Sequence, residues 1–301
     1  MGHVDHGKST CAGRILVDTG TVDQTEINKA VKDAEENGMR SWWLAYLLDV
    51  DTERTRGKTS EYTILPVSYK DSDMNLIDVP GHRNHISDMI AGASKADVAV
   101  LICSAKKGEL ESGLRGQTYE HLVLARCIGV DRLVVAVNKM DHESVNWDPE
   151  ILQGIETKIG EVIKKLRFGS VCYVPISAYD GSNVVGSLKG VGQSLLDILS
   201  SMPAKPRDGT VTTSDTLTAQ CLFFGNTPLI ACGYTCHIHT RNSEGECSIE
   251  SIEKVPPFIR ASERQYITIK LLLDRPIELE SFVVLRDGHN TIAAGKIIGT
   301  N

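Results

Sequence analysis

Gly2-His3-Val4-Asp5-His6-Gly7-Lys8-Ser9-Thr10 brings the residue types that handle a polyphosphate into one short stretch. Gly2 to Ser9 fit the pattern G-x-x-x-x-G-K-[ST]. Its small residues let successive backbone N–H groups curl around an anion, and the lysine brings a point charge to the outer phosphates. The Ser9 hydroxyl is placed to ligate Mg²⁺. His3, Val4, Asp5 and His6 between the glycines, with Thr10 behind the serine, complete the contact surface. A helix expected over 9–17 would point its positive N-terminal end at the phosphates.

Three further stations follow, each at the carboxyl end of an apolar run, where open α/β sheets place their ligands. Asp78-Val79-Pro80-Gly81 can hold Mg²⁺ through a water on Asp78 and meet a γ-phosphate with the Gly81 N–H. Asn138-Lys139-Met140-Asp141 suits the selection of a base. The Asp141 carboxylate can accept from both the N1–H and the 2-amino group of guanine, a pair that adenine cannot offer, and Lys139 would lie along the base plane. Ser177-Ala178-Tyr179 then offers a backbone N–H to the guanine carbonyl. Any one of these could be a plain turn. All of them in order on one sheet make a site for GTP or GDP with Mg²⁺.

The elements that must position these residues show in the periodicity. Short apolar runs at 64–69, 74–79, 98–103, 133–138 and 171–176 alternate with helical patterns at 83–95, 117–128 and 149–168. Several runs are nearly continuous in Val, Ile and Leu, as buried parallel strands are. The pattern predicts a doubly wound α/β domain with a mostly parallel sheet over 1–205. A last helix at 192–201 precedes Pro203, and 203–209 reads as a linker. Beyond it come strands only, at 217–224, 233–240, 248–255 and 266–273, then a hairpin of 282–285 with 291–298 around Asp287-Gly288. The alternation of Ile267, Ile269, Leu271 and Leu273 with other residues marks a half-buried strand. Residues 206–301 are thus expected to form a small antiparallel β-barrel or sandwich.

At 301 residues, 41% hydrophobic and 24% charged, the chain has the length of two ordinary globular domains. No apolar run is long enough for a bilayer and no signal-peptide pattern is present, which predicts a cytoplasmic protein without a membrane partner. The formal charge of −7 argues against a broadly basic DNA binder, though a local patch stays possible. Cys232-Gly-Tyr-Thr-Cys236-His237-Ile238-His239 resembles a metal cluster at first sight. On one strand, however, the two sulfurs would be ~13 Å apart and both histidines on the opposite side. That geometry forbids a disulfide and spoils a chelate, so the cysteines read as reduced and mostly buried.

Taken together, the stretches GHVDHGKST, Arg56-Gly57-Lys58-Thr59, Asp78-Val-Pro-Gly-His82, Gly116-Gln117-Thr118, Asn138-Lys-Met-Asp141 and Ser177-Ala178 resemble the GTP-binding domain of the translational GTPases. Within them the likeness is to the elongation factor 1-alpha branch. Residues 214–300 resemble, more weakly, the last barrel domain of the same proteins. Lys58, Ser104-Ala-Lys-Lys-Gly-Glu-Leu-Glu111 and Asn138 to Trp147 lean toward the class II release factor, as does Trp42-Trp43, while His6 leans toward elongation factors. The resemblance implies attack of water on the γ-phosphate of GTP, with Thr59 joining Ser9 on Mg²⁺ and His82 orienting the water.

The family's middle barrel is absent, since Pro206-Arg-Asp leads almost directly into the strands. That loss weakens the reading as a carrier of charged tRNA. The retained last barrel implies docking of the class I release factor, with the ribosome as stimulating partner. An elongation-type carrier, a ribosome-rescue GTPase and a GTP-binding scaffold that does not hydrolyse remain alternatives. The family's phosphate loop is also fed by an apolar central strand, where this chain has Met1 alone. Unpaired neighbours would be costly, so the expectation is a start upstream of Met1.

Overall fold

The computed structural model describes residues 1–48, 62–80, 86–110, 117–202, 212–223, 229–240, 243–260, 266–279, 282–288 and 290–300. In chain order the first two-thirds form α1 (Lys8–Asp18), α2 (Gln24–Glu36), a 3₁₀ turn at Arg40–Trp42 and α3 (Trp43–Tyr46). These are followed by β1 (Thr63–Tyr69), β2 (Ser72–Asp78), α4 (Ile86–Ala93), β3 (Val98–Ser104) and α5 (Gln117–Cys127). β4 (Arg132–Asn138), α6 (Pro149–Leu166), β5 (Ser170–Pro175) and α7 (Leu195–Ser200) complete the set. The chain divides into two compact units. One holds Met1–His82, Ala96–His121 and Asp131–Lys205, the other Arg83–Lys95, Leu122–Val130 and Pro206–Asn301. The helical segments 83–95 and 122–130, assigned to the first domain from sequence, therefore group with the second unit.

In the first unit β3, β4 and β5 run parallel, with β4 in the middle and Val98 to Ser104 of β3 paired in step with Arg132 to Asn138 of β4. Every residue of β4 after Arg132 is buried, which is why this strand has no polar face to alternate with. β1 and β2 form a separate antiparallel hairpin, turning at Lys70, whose φ is 52°. The parallel sheet expected of this domain is thus made by β3, β4 and β5, and β1 and β2 pair apart from it. Along the free side of β3 lies Met1: its amino group donates to the Val100 carbonyl at 2.8 Å, and the Ile102 N–H donates to its carbonyl at 2.9 Å. One residue thus continues the parallel ladder and leads straight into the loop.

α1 buries Cys11, Ala12, Ile15 and Leu16 in a core that it shares with Val134, Ala136, Val174 and Ile176 of the sheet. α6 starts on the Asp148 side chain, carries Pro149 in its first turn and buries Ile155, Ile159 and Ile163 at four-residue spacing. α2 was not foreseen. Its start is a reciprocal capping box, in which the Asp23 carboxylate accepts from the Thr25 and Glu26 N–H groups and Glu26 accepts from the Asp23 N–H. Its buried stripe is made of Ala30 and Ala34 against Tyr46. Alanines at helical spacing are a faint hydrophobic signal, which is why the element escaped notice.

The second unit contains β6 (Thr212–Phe223), β7 (Ile230–Ala231), β8 (Thr235–His239), β9 (Glu244–Ile252), β10 (Phe258–Ile259), β11 (Tyr266–Leu279), β12 (Phe282–Asp287) and β13 (Asn290–Thr300). Six of them close into an antiparallel barrel in the order β11-β6-β13-β12-β8-β9, and β7 pairs with β10 beside it. Leu217, Ala219, Cys221 and Phe223 of β6 interleave with Ile267, Ile269, Leu271 and Leu273 of β11 in its core. Closure decides between barrel and sandwich, which share the same alternation. Cys232 lies in the turn before β8, so it and Cys236 do not share a strand as the sequence reading assumed. Cys236 instead faces Cys247 across β8 and β9, their sulfurs 3.6 Å apart in the core.

Candidate guanine-nucleotide site

The loop from Gly2 to Gly7 leaves the edge of β3 and enters α1 with Gly7 at φ 89° as its N-terminal cap residue. A Cβ on Gly7 would stand 2.4 Å from the Asn138 amide nitrogen, and one on Gly2 would stand 2.3 Å from the Ile102 carbonyl oxygen. Both glycines are therefore required by close approach as well as by φ. The Lys8 ammonium donates to the His3 carbonyl at 2.8 Å. Burial holds it below its ordinary pKa, against the pull of Asp78 and Asp5.

The first station meets the second directly. The Ser9 hydroxyl donates to the Asp78 carboxylate at 2.9 Å, at the end of β2. Asp78 is buried, and burial raises its carboxyl above the usual range although Lys8 opposes this. A hydroxyl and a carboxylate oxygen converging beside a phosphate loop form the hard oxygen set that Mg²⁺ takes. This ion uses few protein ligands because substrate phosphates supply others. Among the described residues no cluster of three His, Cys, Asp or Glu makes an all-protein metal cage.

The third and fourth stations are held against the loop by one side chain. Asn138, at the end of β4, donates through Nδ2 to the His6 carbonyl at 2.9 Å and accepts from the Ala178 N–H at 2.8 Å. Within this segment the Ala178 N–H is thus taken up inside the protein. Lys139, at φ 64°, donates to the Asp5 carbonyl at 2.8 Å and to Glu109 at 2.7 Å. Asp141 is exposed, Ser177 and Ala178 are buried, and Tyr179 is exposed next to them. Val4 and Thr10 are half-buried beside the loop. Thr59, Gly81 and His82 lie outside the described residues.

Two residues that the sequence reading did not single out tie the site together. Glu109 accepts the His6 imidazole on its backbone carbonyl at 3.2 Å and Lys139 on its carboxylate. Burial pushes its carboxyl up, but the hydrogen bonds from Lys139, Ser104 and Lys106 outweigh that and hold it at about 2. Arg14, on α1, reaches the carbonyls of Ala178 and Tyr179. The sequence placed Glu109 only in a stretch that resembled a family, and Arg14 carried no spacing signal. His6 is buried, and burial lowers its imidazole to about 4 although the Glu109 carbonyl pulls the other way.

The profile of the family described as Elongation factor Tu GTP binding domain matches residues 1–220. Elongation factor 1-alpha of Staphylothermus marinus is 40% identical over 219 residues, which are 69% of this chain and 50% of that protein. The eukaryotic peptide chain release factor GTP-binding subunit of Ogataea pini is 40% identical over 221 residues, 69% of this chain and 29% of that protein. Its counterpart in Schizosaccharomyces pombe is 41% identical over 215 residues, covering 67% and 32%. The chain spans half or less of the length of these curated relatives. In fold it resembles the S. cerevisiae Ski7 GTPase-like domain solved with GTP, with a TM-score of 0.76 at 13% identity over 99% of this chain and 95% of that one.

Proposed function

The chain belongs to the family of the elongation factor Tu GTP-binding domain, and from that premise we propose that it is a GTP-hydrolysing translation factor assisting the class I release factor in termination. The observation that carries the nucleotide part is the meeting of Ser9 with Asp78 beside a loop that Asn138 locks to the base-selecting segments. Phosphoryl transfer of this kind asks a protein mainly for position and charge. Lys8 and the loop amides hold the phosphates, and Asp141, Lys139 and the 177–179 loop hold guanine. Ser9, Asp78 and Thr59 hold Mg²⁺, which when bound neutralises charge on the phosphate oxygens. The Gly81 amide senses the γ-phosphate and His82 orients the attacking water, with the ribosome or partner accelerating the step.

The termination role rests on the class II release factor features of the sequence and on the barrel as docking surface for the stop-codon reader. A second reading, a carrier of charged tRNA, is favoured by the equal identity to an elongation factor 1-alpha. Calorimetric titration of class I factor into the full chain, with GTP, GDP or no nucleotide, separates them. Binding that GTP tightens, by the factor with which the partner tightens GTP, supports the termination role. Aminoacyl-tRNA binding without any class I factor binding overturns it. Both the soluble preparation this requires and a cytoplasmic location accord with a chain in which, among the described residues, no helix is long and apolar enough to cross a membrane.

A further inference from the structure

Arg14 lies on the face of α1 that runs past the 177–179 loop, with its side chain 15% exposed. Its Nε donates to the Ala178 carbonyl at 3.4 Å, its Nη2 to the Tyr179 carbonyl, and its Nη1 to Asp18 one turn along the helix at 3.2 Å. Trp43 covers the guanidinium, whose carbon is 5.9 Å from the ring centroid, within the range of a cation–π contact. Space for this arm is left by Gly181, at φ 88°, where a Cβ would stand 3.2 Å from Arg14 Cδ and 3.0 Å from Asp18. The arm is therefore gripped at its stem, its charge and its planar face.

The orientation of the loop follows from these contacts. A trans peptide points its C=O and N–H to opposite sides. With the Ala178 carbonyl turned to Arg14, the N–H of the same peptide, that of Tyr179, faces away from Arg14. The Ala178 N–H is committed to Asn138, while among the described residues the Tyr179 N–H has no acceptor. A guanidinium suits this task because its rigid fork can hold two carbonyls at once, which an ammonium on a flexible stem cannot do equally well.

We infer that Arg14 is a positioning residue for guanine specificity: by holding the Ala178 and Tyr179 carbonyls it turns the Tyr179 N–H toward the 6-carbonyl of guanine. The inference rests on the guanine-nucleotide reading of the site. The role assigned to Arg14 is exercised through the loop, by way of the Ala178 and Tyr179 carbonyls. Its removal is felt only through the one hydrogen bond that it aims.

The test is a cycle between protein and ligand. Dissociation constants of the full chain are measured for GDP, for 6-thioguanosine diphosphate, which keeps the N1–H and the 2-amino group but offers sulfur, a weak acceptor, in place of the 6-oxygen, and for ADP. The unaltered chain should prefer GDP to the 6-thio analogue by about tenfold, the scale of one hydrogen bond. In Arg14→Ala the GDP affinity should fall about tenfold while that for the analogue stays within about twofold, so the ratio collapses toward unity. Arg14→Lys should give an intermediate ratio. Arg14→Met, which keeps the apolar stem but has no fork to hold the carbonyls, should reproduce the collapse and decides the matter if Arg14→Ala does not fold. Equal weakening of GDP and analogue, with the ratio kept, would make Arg14 merely structural and overturn the inference. Absence of any preference for GDP over ADP in the unaltered chain would instead sink the guanine reading beneath it.

Discussion

Lys139 is committed to Asp5 and Glu109, whereas Asp141, two positions on, is exposed. Asp141→Asn should weaken GTP and favour xanthosine triphosphate, because an amide can donate to the 2-carbonyl of xanthine where the carboxylate accepted from the guanine amine. A site built on such bonds discriminates by up to ~10⁴. Competition between the two triphosphates measures it, and an unchanged preference for GTP would remove Asp141 from the base. Glu109 acts through Lys139: the pair is partly exposed, at 30% and 29%, so the loss of its charge should be modest. Glu109→Gln should weaken GDP and GTP alike by about fivefold, on the order of 1 kcal/mol, because the contact lies away from the γ-phosphate. A GDP-to-GTP ratio that moved would show that the effect reaches the phosphates. His82→Ala should leave affinity within a few-fold and slow partner-stimulated hydrolysis by ~10²–10⁴ in single-turnover assays, and an unchanged rate would clear His82 of a role.

At the scale of elements, the phosphate loop and α5 each hold a buried histidine that should make stability depend on pH. Burial lowers His6 to about 4, and burial, reinforced by the charges of Lys8 and the amino terminus, lowers His121 to about 3. Neither ring nitrogen of His121 has a hydrogen-bond partner among the described residues. In the unfolded chain both imidazoles take up protons near 6.5, well before the folded ones do. The unfolded state therefore binds more protons across that window, and stability rises with pH there. It is fully present above about 6.5 and falls as pH drops toward 4, by on the order of 2 kcal/mol per histidine at pH 5. Urea midpoints at pH 7.5 and 5 should show the loss, and His121→Phe should roughly halve it; a midpoint that did not move would contradict the neutral buried state. α2 carries the converse lesson about reading elements. Its capping box at Asp23 and Glu26 was visible as letters, but Ala30 and Ala34 carry too little apolar contrast to announce a buried face. β4 was plain from its unbroken apolar run, since a strand covered on both sides needs no alternation.

As a whole molecule the chain divides into two compact units, and each can be considered separately. The barrel closes on itself, so every one of its six strands has two neighbours and no edge is left to aggregate. Its interior is filled from all around by residues such as Phe223, Ile249, Ile269, Val283 and Leu285. A fragment of residues 206–301 should therefore fold alone and melt in one cooperative transition, followed by circular dichroism. A broad, non-cooperative melt would show that segments 83–95 and 122–130, which group with this unit, are needed for its core. If the fragment folds, it also becomes a simple reagent for testing whether the barrel binds the class I factor.

Spacing alone carries the expectation of a nucleotide site in the first unit. G-x-x-x-x-G-K-S, Asp78 at a strand end and Asn138-Lys139-Met140-Asp141 are legible as such because recognition of phosphate, metal or base asks for residue types that are local in the chain. The change from alternating strands and helices to strands is legible in the same way. Tertiary structure alone decided what meets across large gaps in the chain. It brought Ser9 to Asp78, committed the Ala178 amide to Asn138, and set Arg14 and Glu109 behind the loops that they hold. It also separated the β1–β2 hairpin from the parallel sheet and closed the barrel. Periodicity tells which side of a strand is buried but not which strand lies beside it; pairing is settled only by the three-dimensional path of the backbone hydrogen bonds.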